Sequence, residues 1–198
     1  MFEIELKAHV QNRQTVITQI ERFAHFLGAV HKSDTYYQHG DGKKCRIRKE
    51  VPFTAPELTT PPDVKAAPSF YFTYKKKELR ADEAGVATEV NDEKECTLSD
   101  CAPIESYLRD NGFSVALTKE KSVLGWQYER VHIELCTVPP LGDFLELETF
   151  AEADDEATTE NAKQQLTAVL KKAGLREADI ENRYYSELLR KAQGENYV

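Results

Sequence analysis

The chain has 198 residues, 40% of them hydrophobic and 30% charged, with a formal net charge of −8. That suits one large domain or two small ones with a real core, and no run nears the ~20 apolar residues that span a bilayer. The negative balance argues against nucleic acid as the main partner. It still allows a small anion to be gripped by a local cluster of cations in a cleft.

No basic stretch followed by an apolar run opens the chain, so no signal peptide is expected, a cytoplasmic location is the default, and no membrane partner is implied. Cys45, Cys96, Cys101 and Cys136 are scattered without a C-x-x-C, which reads as structural thiols in a reducing compartment rather than a zinc site. His25, His31 and His39 fall in different elements and show no metal-ligand spacing.

Residues 2–10 alternate charge and apolar side chains, so they read as a first strand. Val16, Ile17, Ile20, Phe23, Ala24 and Leu27 recur at helical spacing and predict a helix over 13–27, ended by Gly28. Residues 29–38 and 43–50 read as a strand pair around Gly40-Asp41-Gly42. Prolines from Pro52 to Pro68 exclude regular structure and make 52–68 a long loop insertion. Strands follow at 69–77 and 87–98, then a helix at 102–111 opened by Pro103. Residues 113–124 and 126–137 look like a hairpin around Gly125, and 143–150 is an eighth strand. Helices at 155–173 and 177–191, separated by Gly174, close the chain. No boundary stands out, so 1–198 reads as a single domain with C-terminal helices over 155–191. The predicted fold class is α+β, an antiparallel sheet whose eight strands could close into a barrel with flanking helices.

Sorting each strand by parity collects the charges. Glu3, Glu5 and Lys7 share a face of the first strand, opposite Phe2, Ile4, Leu6 and Ala8. Arg46 pairs by parity with Arg48, Thr73 with Lys75 and Lys77, Glu93 with Glu95, and Lys119 with Lys121. Tyr128, Arg130, His132 and Glu134 lie opposite Val131, Ile133 and Leu135. Glu146 and Glu148 lie opposite Leu145 and Leu147. If the apolar faces pack under the helices, these charges line the inside of a curved sheet. Buried unpaired charge is costly, so such groups must be paired, wet, or matched to a charged ligand. Cations would grip a polyanion, and Glu pairs would hold a hard divalent ion, Mg²⁺ or Mn²⁺. The pattern suits a metal–triphosphate. Ordinary solvated strand faces with cross-strand Glu/Lys pairs remain the alternative. The chain has no Walker motif, no G-x-G-x-x-G and no G-x-S-x-G elbow.

Glu3-Ile4-Glu5-Leu6-Lys7 matches the E-x-E-x-K hallmark of the CYTH family, the triphosphate tunnel enzymes, and other blocks follow in family order. They are Asp34-Thr35-Tyr36-Tyr37, Arg46-Ile47-Arg48, Phe72-Thr73-Tyr74-Lys75, and Leu141-Gly142-Asp143-Phe144-Leu145-Glu146-Leu147-Glu148. Arg183-Tyr184-Tyr185-Ser186-Glu187-Leu188-Leu189 resembles the closing tyrosine helix of the family. The resemblance implies an eight-stranded antiparallel barrel, or tunnel, with a charged lumen. It implies Glu3, Glu5, Glu146 and Glu148 as metal ligands or their supports, with Mg²⁺ or Mn²⁺ as cofactor. Lys7, Arg46, Arg48, Lys75 and Lys119 would clamp phosphates, with Lys121 and Arg130 as further lumen cations. Lys7, Lys75 and Glu5 would be the catalytic groups. Cys136 stands where the family often has Asp, with Glu134 as its replacement metal ligand, and Asn91 stands where Arg is usual.

The implied activity is metal-dependent turnover of a triphosphate. The blocks resemble the class IV adenylyl cyclase branch, which converts ATP to cyclic AMP and pyrophosphate. The alternatives are a triphosphatase acting on thiamine triphosphate, a nucleotide or tripolyphosphate, and a non-catalytic nucleotide- or polyphosphate-binding protein. The resemblance also allows a homodimer.

Overall fold

A computed structural model describes residues 2–55, 67–81, 87–152 and 155–194, the side chains of 75–81, 87–93 and 156 excepted. Eight strands are present: β1 (Phe2–Val10), β2 (His25–Gln38), β3 (Lys44–Pro52), β4 (Ser69–Ala81), β5 (Ala87–Leu98), β6 (Ser114–Tyr128), β7 (Val131–Val138) and β8 (Gly142–Ala151). All pairings are antiparallel, in the order β1-β5-β4-β3-β2-β6-β7-β8. Because β1 also pairs with β8, every strand has two partners and the sheet closes as a barrel. The described helices are α1 (Arg13–Ile20), α2 (Ala102–Asp110), α3 (Glu156–Lys172) and α4 (Tyr185–Ala192).

The alternation in β1 sets the two faces. Ile4, Leu6, Ala8 and Val10 point outward into the main core. There they meet Ile133, Leu135, Leu145 and Leu147 of β7 and β8, Val16, Ile17 and Ile20 of α1, and Leu166, Val169 and Leu170 of α3. Each buried Leu or Ile contributes about 1.5–3 kcal/mol relative to exposure, so this outer layer, rather than the barrel interior, carries most of the hydrophobic stabilisation. Asp155 starts α3 by accepting from the Thr158 amide at 2.9 Å, an ordinary N-cap. A second outer patch packs Leu108 of α2 on Tyr37, Cys45 and Ile47. With its apolar faces outward under helices, the barrel turns its charged faces inward.

Three sequence expectations are corrected. The helix expected over 13–27 ends at Ile20, and residues 25–28 belong to β2. Phe23 and Phe26 reach the same core from a turn and a strand, so helical spacing alone could not separate the two. Phe26 pairs with Trp126 in the ladder, and Gly28 sits at a register shift rather than a helix end. The hairpin turn expected at Gly125 lies instead at Glu129-Arg130, where Glu129 has φ 52°. Gly125 is inside β6, opposite Gly28 and Glu134. The helix expected over 177–191 is a 3-10 turn at Glu177–Asp179, then an extended strap, then α4. The strap leaves the helical path because it bonds to β1: Ile180 bridges Ala8, and the Glu181 amide donates to the Lys7 carbonyl at 2.8 Å.

Of the loop expected over 52–68, Pro52 ends β3 and 56–66 lie outside the described residues. All four cysteines are free. Among the described residues no helix is long and apolar enough to cross a membrane.

Candidate functional site

The barrel interior holds a cavity of about 880 Å³. Its wall includes Glu3, Glu5 and Lys7 of β1, Arg46 and Arg48 of β3, Lys119 and Lys121 of β6, Glu134 of β7, and Glu146 and Glu148 of β8. All eight strands contribute to the lining because each places every second residue inside.

The carboxylates divide into two groups. Glu5 lies directly opposite Glu148 across the β1/β8 ladder. Oxygens of Glu3, Glu5 and Glu148 all lie within 4.8 Å of one another. Like charges directly opposite are destabilising. Burial first, then Glu3, Glu134, Glu5 and Glu146, push the Glu148 carboxyl well above the usual carboxylate range. An all-oxygen trio of like charge fits a hard divalent cation, which would relieve that repulsion.

Glu134, Cys136 and Glu146 also lie within 4.8 Å of one another, but a protein cation already serves them. Lys121 Nζ donates to Glu134 Oε2 at 3.0 Å, to Glu146 Oε2 at 2.6 Å and to Cys136 Sγ at 3.6 Å. Lys32 Nζ donates to Glu134 Oε1 at 2.5 Å. Burial is the largest influence and opposes ionisation of both carboxyls, but Lys121 and Lys32 together hold Glu134 well below its usual value, and Lys121 and Lys119 together hold Glu146 at about 2. Both oxygens of Glu134 are taken by lysines, so this site does not fit a metal in the way the Glu3/Glu5/Glu148 trio does.

The basic wall is organised by a buried carboxylate. Arg48 donates to Asp34 through Nε at 2.6 Å and Nη2 at 3.0 Å, and Lys119 Nζ is 3.3 Å from Oδ2. Burial alone would raise the Asp34 carboxyl, but Lys119 and Arg48 hold it well below the usual range. Arg46 donates to Thr73 Oγ1 at 3.0 Å and reaches Glu95 at 3.5 Å. Lys7 donates to the Arg183 carbonyl at 2.6 Å. The Tyr185 ring lies between Lys7 and Lys119, at 4.5 and 4.7 Å. Tyr185 and Leu188 of α4 pack on Val123, Cys136, Val138 and Phe144, so α4 caps that side of the interior with apolar contacts.

Twelve residues carried a sequence-based expectation at this site, and ten of them line the one cavity. Arg130 does not. It is exposed in the β6/β7 turn, because β6 runs on to Tyr128, four residues past its expected end at 124. Lys75 lies in β4 opposite Glu93, and its side chain is outside the described residues, as is that of Asn91. Glu134, expected as a metal ligand, lies in the Glu134/Cys136/Glu146 cluster with both of its oxygens accepting from lysines. Asp34 and Lys32 received no role from sequence. Both have the inward parity of β2, and that signal could have found them.

A protein-family model described as the CYTH domain matches residues 1–185. No curated protein matches the chain. Among solved structures, the PH1012 protein of Pyrococcus horikoshii OT3 is 26% identical, with a TM-score of 0.71 over 94% of this chain and 98% of that one. A Vibrio parahaemolyticus protein described as a candidate adenylate cyclase is 21% identical, with a TM-score of 0.74 over 96% and 98%. The Hippeastrum protein HpAC1, described as having a dominant triphosphatase activity, is 14% identical, with a TM-score of 0.61 over 99% and 97%. The last two likenesses speak for the fold alone. With E-x-E-x-K on an inner strand face and the family model spanning nearly the whole sequence, the chain belongs to the CYTH domain family.

Proposed function

We propose that this protein is a metal-dependent enzyme acting on a nucleoside triphosphate inside the barrel, and that it cyclises ATP to cyclic AMP and pyrophosphate. The observation carrying the reading is one cavity with a carboxylate trio, Glu3, Glu5 and Glu148, facing a basic wall of Lys7, Arg46, Arg48 and Lys119. The volume of about 880 Å³ admits a whole nucleotide, and Leu117, Ala116 and Phe150 give it apolar stretches that a bare polyphosphate would not use. Phosphoryl transfer asks a protein mainly to position groups and neutralise charge, and this lining suits that task.

In this reading Arg46 and Arg48 grip phosphate oxygens bidentately, and Lys7 and Lys119 act as point charges. Lys75 joins them on the family resemblance. Glu3, Glu5 and Glu148 hold Mg²⁺ or Mn²⁺, with Glu146 beside them. A bound ion would neutralise phosphate charge and polarise the phosphoryl group. Lys7, Lys75 and Glu5 are the groups assigned to the reacting phosphorus. Lys121 and Lys32 keep Glu134 and Glu146 ionised and in place. The ribose 3′-hydroxyl oxygen forms the new bond to the α-phosphorus, its proton passes to water, and the bond to pyrophosphate breaks.

Hydrolysis of a triphosphate is the second reading, favoured by one specific feature. Lys121 fills the Glu134/Cys136/Glu146 cluster, so among the described residues one acidic trio is left open to a metal, whereas a two-metal clamp would serve both attacking and leaving oxygens.

The test incubates the protein with ATP, thiamine triphosphate and tripolyphosphate separately, with Mg²⁺ or Mn²⁺, beside Glu5→Gln and Lys7→Ala. Cyclic AMP and pyrophosphate, lost in both variants, would establish the cyclase. Orthophosphate without cyclic product would make it a triphosphatase. Binding without turnover would leave only a binding protein.

A further inference from the structure

The two ends of the cavity differ in chemistry. Neighbouring strands are antiparallel, so the start of β1, β4 and β7 and the finish of β3, β5 and β8 lie at one end of the barrel. That end places Tyr71, His132 and Phe150 on the cavity wall, near Glu3 and Glu148. In the ladders Phe150 faces Glu3, and His132 faces Glu148. The opposite side carries α4, with Tyr185 against Lys7 and Lys119.

Phe150 is the anomaly. Its strand neighbours Leu145 and Leu147 are fully buried outside the barrel, yet Phe150 lines the cavity and is 59% exposed. Leu27, Tyr74, Tyr107 and Val115 are exposed as well, but of these five side chains Phe150 is the one on the cavity wall. Nothing in the outer core needs it, because its parity turns it inward. An exposed ring at the acidic end of the cavity, across from the basic wall, is suited to stacking on a planar ring, a contact every base can make through its π-face.

We propose that Phe150 is a specificity-determining residue. It stacks on the planar ring of an organic triphosphate whose phosphates point inward to Lys7 and Lys119. This rests on the triphosphate reading above and adds the orientation of the substrate and the reason for preferring a ring-bearing one.

The test is calorimetric binding of ATP and of tripolyphosphate, each with Mg²⁺, to the full chain and to Phe150→Ala and Phe150→Tyr. Loss of a stacking contact predicts roughly tenfold weaker ATP binding in Phe150→Ala. Tripolyphosphate affinity should change less than about twofold, and Phe150→Tyr should keep ATP affinity. Equal weakening of both probes, or no change in either, overturns the proposal while leaving the triphosphate reading intact. No binding of either probe by the unaltered chain overturns both. Because the readout is binding, ATP bound without turnover would remove only the enzyme reading.

Discussion

Arg48 and Asp34 meet fork to fork inside the barrel, Nε to Oδ1 at 2.6 Å and Nη2 to Oδ2 at 3.0 Å, with the Asp34 side chain fully buried. Lys119 shares the same carboxylate. One acid therefore fixes two of the cations assigned to phosphate. Glu50 also lies 3.7 Å from Arg48 Nη1, so this part of the basic wall is tied down by two carboxylates.

Asp34→Asn should remove that anchor and leave two buried cations facing one another. Breaking a buried pair costs roughly 3–5 kcal/mol. The thermal midpoint should fall, and tripolyphosphate should raise it more in the variant than in the unaltered protein, because the anion replaces the lost charge. A variant as stable as the parent without ligand would contradict this. The Asp34 carboxyl is held well below its usual value. Its contribution is therefore full above the unfolded pKa of ~3.9 and is lost only as pH falls through the lower folded value.

Glu148 behaves with the opposite sign. Burial and its acidic neighbours raise its carboxyl well above the usual range. Such a group binds its proton more tightly in the folded state. Its contribution is therefore full below the unfolded pKa of ~4.3 and is lost as pH rises through the folded value. Thermal midpoints of the metal-free protein should fall across that window, and Glu148→Gln should flatten the fall. Mn²⁺ at neutral pH should raise the midpoint of the parent more than that of the variant. Identical Mn²⁺ responses would argue against the trio as the metal site.

Lys121→Met tests the second acidic cluster. Lys121 bonds Glu134 and Glu146 at once, so its loss leaves buried carboxylates poorly compensated, at a cost of roughly 3–5 kcal/mol. Denaturant midpoints should show it. Adding Glu146→Gln in the same chain should recover part of the loss, and strict additivity of the two changes would contradict the coupling.

Arg130→Ala should be nearly silent. The side chain is exposed in a turn outside the cavity, and surface changes of this kind stay within about 0.5 kcal/mol. Triphosphate affinity measured by calorimetry should match the parent. A severalfold loss would return Arg130 to the site.

The sequence by itself determined the strand faces. A period of two admits only two sides, so Glu3, Glu5 and Lys7 had to oppose Ile4 and Leu6, and Glu146 and Glu148 had to oppose Leu145 and Leu147. Turn residues and prolines marked the succession of strands along the chain, but not their order in the sheet, where β1 lies between β5 and β8. Tertiary structure decided where local signals were degenerate. Phe23 and Phe26 satisfy a helical period, but pairing of Phe26 with Trp126 draws residues 25–28 into β2. Gly125 reads as a turn, yet the ladder runs through it to Tyr128, and this ejects Arg130 from the interior. Parity could collect acids and cations on one surface, but it could not say which meet. Side chains cross the lumen, so Lys121 reaches Glu146 from β6 while Glu5 faces Glu148 on the adjacent strand. That pairing separates an acidic trio suited to a metal from one already neutralised by lysine.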